Sequence, residues 1–129
     1  MGLFKNRKRK TVEVEVQGEN FILTEPSALA MCEYYDIMER EHGLVKDGSS
    51  IYFKSGINTK VGFRLVAACL VDHFIVDGQP TQTPNNIYRM LCDEVTNMND
   101  VNKLIHSAED AAGLKFEEKE LQDESLETD

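Results

Sequence analysis

Between Val61 and Val76 only Arg64, Asp72 and His73 are strongly polar, so a helix over this stretch is apolar around almost its whole circumference. A helix of that kind sits at the centre of a bundle or crosses a bilayer. The uninterrupted apolar run, Leu65 to Val71, is far shorter than the roughly 20 residues a membrane span needs. The bundle centre is what remains, and the small Ala67 and Ala68 let neighbours approach closely there. The rest of the chain must supply the elements that wrap it.

Those elements are legible on both sides. Thr11 to Val16 alternates β-branched and acidic residues with period two, Gln17-Gly18-Glu19-Asn20 is turn material, and Phe21-Ile22-Leu23 follows as a second short strand. Together they predict a β-hairpin, which is too small to stand alone and must lie on the helices. Thr24-Glu25-Pro26-Ser27 combines a hydroxyl cap with an early proline and predicts a helix from about Glu25 to His42, closed by Gly43. The central helix starts at Asn58-Thr59 and is expected to reach about Phe74. Thr83-Pro84 opens a third helix to about Asn97, and Asn99 a fourth from about Asp100 to Ala112, stopping at Gly113. Leu44 to Ile57 is long for a loop, and Ile51-Tyr52-Phe53 has the composition of a short strand or lid. The expected architecture is therefore mainly α: a compact four-helix domain with a small N-terminal β-hairpin.

Charge divides the chain. Residues 1–10 carry five bases and no acid, residues 11–113 carry 16 acids against seven bases, and residues 114–129 carry seven acids against Lys115 and Lys119. This reads as a basic flexible arm (1–10), a single helical domain with its hairpin (11–113) and an acidic tail (114–129). The tail has too few large apolar side chains to offset its ordering entropy and is expected to be disordered, or helical only against a partner. A net charge of −9 disfavours nucleic acid as a partner of the domain as a whole, although the run Lys5 to Lys10 leaves room for a nucleic-acid contact by the arm alone. The arm's plainer role is to solubilise or to fold back on acidic surface. No secretory h-region precedes it, and three widely spaced cysteines with no CxxC suit a reducing compartment better than a disulfide framework.

No catalytic constellation emerges. His42, His73 and His106 lack metal-ligand spacing, and no P-loop, GxSxG or GxGxxG motif occurs. Asp72-His73 near Asp77 sits at a helix end, where a histidine faces the C-terminal dipole. Cys32, Cys69 and Cys92 fall on apolar faces, where a thiol is ordinarily buried and inert. Neither metal nor cofactor is expected, and the chain is expected not to be an enzyme.

The informative surface belongs to the first helix. Ala28, Met31, Cys32, Tyr35 and Met38 form one stripe and Ala30, Tyr34 and Ile37 a second beside it, so the apolar arc is about 220° wide. The third helix adds Ile87, Tyr88, Met90, Leu91, Cys92, Val95 and Met98. Either the arc is wedged between the central helix and the hairpin and is all core, or part of it is exposed as an adhesive face. Methionine and tyrosine suit adaptable contact surfaces. The candidate partner-binding residues are Met31, Tyr34, Tyr35, Ile37 and Met38, with Ile87, Tyr88 and Met90 as second choices.

Taken in order, FILTEPSALAMCEYYDIMER, GFRLVAACLVDHFIVDGQPTQTP and IYRMLCDEVTNMNDVNKLIHSAEDAAGL resemble the tail assembly chaperones of long-tailed, lambda-like bacteriophages, over roughly residues 21–114. The resemblance is carried by the Leu23-Thr24-Glu25-Pro26-Ser27-Ala28 lead-in, the Arg64 to Asp72 core helix, Asp77-Gly78 and a closing helix pair. It implies a non-catalytic morphogenesis factor of the host cytoplasm, absent from the mature virion. Such a factor coats the tape measure protein and helps recruit the tail tube protein, in some members through a frameshifted longer form, and it self-associates as a homo-oligomer. A small prophage regulator or adaptor that contacts nucleic acid through its arm is the alternative from another class, and a structural virion component a third.

Overall fold

The computed structural model describes residues 8–48, 50–54 and 58–116. The chain runs β1 (Thr11–Val16), β2 (Glu19–Thr24), α1 (Ala28–His42), β3 (Leu44–Asp47), β4 (Ser50–Phe53) and α2 (Thr59–Leu70). A 3-10 turn at Asp72–Phe74 follows, then β5 (Ile75–Val76), β6 (Gln79–Pro80), α3 (Pro84–Glu94) and α4 (Met98–Ala112).

The expectation of a mainly α domain with one hairpin is overturned. Among the described residues the strands form three separate two-stranded antiparallel sheets, β1–β2, β3–β4 and β5–β6, so the architecture is α+β, with four helices and three hairpins. The second hairpin takes the stretch between the first two helices. The central helix ends at Leu70, short of the expected Phe74, and the third hairpin follows the 3-10 turn. There Asp77 and Gly78 adopt φ of 53° and 77°, the left-handed pair of a tight hairpin turn, so Ile75-Val76 pairs with Gln79-Pro80. Hairpins of two to four residues leave too short a period-two signal to outweigh a neighbouring helical pattern.

Local chemistry sets the ends of each helix. Ser27 Oγ accepts from the Ala30 amide and Pro26 precedes it, so α1 begins at Ala28 rather than Glu25. Gly43, at φ 70°, closes α1 in the left-handed conformation that a side chain resists, its amide donating to the Met38 carbonyl. Asn58 caps α2 and Thr83 caps α3. Asn97, not Asn99, caps α4. At the other end of α3, Gln17 (φ 53°) reaches from the first hairpin turn, its amide donating to the Glu94 carbonyl and its oxygen accepting from the Thr96 amide. That turn residue therefore terminates a helix far away in sequence.

The core forms around α2, as its composition requires. Val61, Phe63, Leu65, Val66, Ala67, Cys69 and Leu70 are buried, against Tyr34 and Met38 of α1, Ile87 and Leu91 of α3, and Val101, Leu104, Ala108 and Ala111 of α4. The inward face of the first hairpin adds Val14, Val16 and Leu23, with Val14 opposite Phe21 and Val12 opposite Leu23, while Glu13, Glu15 and Ile22 share the other face. Each fully buried large aliphatic side chain contributes about 1.5–3 kcal/mol of transfer free energy.

Leu114 and Phe116 pack partly buried against this core, and the Phe116 amide donates to Glu109 (2.8 Å). The expected tail beyond them, 117–129, lies outside the described residues, as does the arm up to residue 7. At the arm's base Arg9 donates to Asp72 (2.6 Å) and to the Glu25 carbonyl, and Lys10 to Asp110 (2.6 Å). These pairs are about half exposed, and such surface bonds are each worth about 0–1 kcal/mol.

Candidate functional site, an apolar groove between the first two helices

The eight candidate contact residues divide by burial. Tyr34, Met38 and Ile87 are 4%, 0% and 1% exposed and belong to the core, which corrects their assignment as partner-contact residues. The physical reason is that α1 packs on α2 along one side and on β3 along another, which covers Tyr34 and Met38 while Ala28 and Cys32 on the same arc stay exposed. Met31, Tyr35, Tyr88 and Met90 are half-buried and lie against that core. Ile37 is also half-buried and lines a groove.

The groove is a small hollow of about 60 Å³, open to solvent. Ala30, Glu33, Tyr34 and Ile37 of α1 form one wall; Arg64, Ala67, Ala68 and Val71 on and just past α2 form the other; Pro84 at the start of α3 closes one part of it. Three alanines make it possible: with nothing beyond a β-carbon, they keep the two helices from filling the space between them. Leu29, one residue before Ala30, is 69% exposed and was missed as a surface residue because it lies off both stripes.

Arg64 supplies the groove's cation. Its Nε donates to His42 Nε2 (3.1 Å) and its Nη1 to Asn85 Oδ1 (3.0 Å), while its Cζ lies 3.6 Å from the centroid of the Tyr88 ring. His42 and Tyr88 themselves meet edge-on at 6.2 Å. Four residues from α1, α2 and α3 thus converge, and each needs the others in a defined state. Burial first, and Arg64 second, hold the His42 imidazole below its ordinary pKa, which keeps Nε2 a free acceptor. Burial is also the largest cause that raises the Tyr88 phenol, followed by the nearby Cys92.

Tyr34 brings a different polar group beneath the groove. Its hydroxyl is buried without a hydrogen-bond partner, and burial, with Tyr35 next, pushes the phenol well above its usual value. Of the three thiols, Cys69 is buried and its Sγ lies 3.8 Å from the Ala108 carbonyl, whereas Cys32 and Cys92 are exposed, which corrects the expectation that all three are enclosed.

Among the described residues, no three His, Cys, Asp or Glu side chains gather as a metal ligand set, and no helix is long and apolar enough to cross a membrane. Set against protein-family models, curated proteins and solved structures, the chain matches none of them.

Proposed function

We propose that this protein is a tail assembly chaperone of a long-tailed phage, which coats the tape measure protein in the host cytoplasm, helps bring tail tube protein to it, and is absent from the finished particle. The observation that carries the reading is the solvent-open apolar groove between α1 and α2 on a strongly acidic protein. A chaperone that coats a long, aggregation-prone chain has to offer apolar surface and stay soluble itself. The groove does the first, and mutual repulsion at a net charge of −9 does the second. Tape measure segments are expected to be long amphipathic helices, and such a helix presents an apolar ridge whose side chains can seat in a hollow of this kind. Self-association of neighbouring copies along one client follows from repeated docking on a long chain.

The order of elements quoted above supports the same reading. The regulator alternative is disfavoured by the net charge of −9, which repels the phosphate backbone from the domain that carries the arm.

Co-expression with the tape measure protein tests the proposal. The client is expected to move from the pellet to the soluble fraction with the wild-type chain and to stay insoluble with Ile37→Glu, whose circular dichroism should remain wild-type because Ile37 is only half-buried. An insoluble client beside the wild-type chain, or equal rescue by the variant, overturns it.

A further inference from the structure

We propose that Arg64 is the selecting element of the groove, and that its occupant is an amphipathic helix bringing a side-chain carboxylate to the guanidinium. The inference rests on the reading above that the groove takes a client helix, and it adds which helices are taken.

The argument starts from how Arg64 is held. The chain has 23 acids against 14 bases, so an arginine here finds a carboxylate easily, as Arg9 does with Asp72 and Lys10 with Asp110. Arg64 instead has an imidazole, a carboxamide and an aromatic face, all uncharged in the state that makes these contacts. Among the described residues no carboxylate lies within ion-pair distance of it. Neutral partners fix the direction of a guanidinium without cancelling its charge. Nε and Nη1 are committed to His42 and Asn85, while Nη2 enters neither bond and keeps its donors for an incoming acceptor. The first turn of α3 beside it contains no acid, so the positive end of that helix adds to the same field.

A half-buried cation on apolar walls has lost part of its hydration without gaining a counter-ion. An oxygen anion arriving with an apolar surface restores that loss, and an apolar surface alone does not. The walls say what the anion is attached to. Alanines at 30, 67 and 68 leave a hollow beside Ile37 and Val71 that a projecting side chain can enter, the kind of contact an i, i+3, i+4 helix ridge makes. Glu33 on the α1 wall is not in ion-pair distance of Arg64, and it favours a base elsewhere on the same helix. An occupant with apolar ridge residues flanked by an acid and a base satisfies both walls; a free anion satisfies Arg64 alone.

The experiment uses the full chain and two synthetic amphipathic peptides of roughly five helical turns. Both carry the same leucine stripe, one with Glu and the other with Gln beside the centre of the stripe. Binding is followed by titration of backbone amide chemical shifts. The Glu peptide is expected to perturb Ala67, Ala68 and Ile37 and to bind about tenfold tighter than the Gln peptide. That preference should vanish in Arg64→Met and return in part in Arg64→Lys, which restores charge without the planar fork and so separates lost charge from lost packing. Equal binding of the two peptides in the groove overturns the role of Arg64 and leaves the groove as a client site. Failure of both peptides to touch the groove removes the client-site reading and this inference with it. Inorganic phosphate shifting the same amides as strongly as the Glu peptide overturns the helix as occupant.

Discussion

A β-carbon placed on Gly62 would lie 2.7 Å from Cγ1 of Ile105, closer than real β-carbons come to other atoms. Gly62 is buried on α2 and Ile105 is half-buried on α4, so the missing side chain is what lets these two helices meet. Gly62→Ala gains helix propensity but forces the half-buried Ile105 side chain out of its place against α2, and the steric loss dominates. The expected outcome is a destabilisation of about 1–3 kcal/mol in urea unfolding. Adding Ile105→Ala to Gly62→Ala should cost less than the two single changes summed, a coupling that a double-mutant cycle measures directly.

Tyr34 gives the opposite sign from what its burial suggests. Its hydroxyl already sits without a partner, so Tyr34→Phe removes a desolvated group and loses no hydrogen bond. Stability should stay level or rise by up to about 1 kcal/mol in denaturant melts. Tyr34→Glu should unfold the protein, because the ring's site is core, whereas Ile37→Glu leaves helical content intact. A marked loss in Tyr34→Phe would mean that the hydroxyl is satisfied after all.

His42 predicts a pH dependence of defined direction. Its pKa in the folded state lies below the ordinary 6.5, so the folded protein binds this proton less readily than the unfolded chain does. The stability it contributes is complete above about pH 6.5 and declines as pH falls through the lower folded value. Protonation also turns Nε2 from an acceptor into a donor aimed at Arg64. Chemical denaturation at a series of pH values should show this slope in the wild-type chain and a shallower one in His42→Gln. Identical slopes would exclude His42 as its source.

The thiols should separate by reactivity. Cys69 is 1% exposed and burial raises its pKa to about 12, so almost no thiolate is available at neutral pH. A native titration with a chromogenic disulfide reagent should consume Cys32 and Cys92 promptly and Cys69 only after denaturant is added. Fast modification of all three would show that α2 and α4 separate readily in solution.

How much of this was legible beforehand depends on the range of the interaction. The four helices could be read because caps and period are local: Asn58, Thr83, Gly43 and Gly113 mark ends that the structure keeps. The hairpin at Leu44–Phe53 was only half legible, and the one at Ile75–Pro80 was not legible at all, because two-residue strands carry almost no period. The exposure of α1 could not be read at all, since covering Tyr34 and Met38 requires knowing that α2 and β3 both lie against them. Arg64 entered the sequence reading only as a polar interruption of an apolar helix. Its partners His42 and Asn85 stand 22 and 21 residues away, and nothing local announces that they meet.

The bond from Lys10 to Asp110 fastens the start of the first strand to the last turn of the final helix. The first strand and the final helix, a hundred residues apart along the chain, thus share one seam, so the fold is complete only once both of its ends have been made.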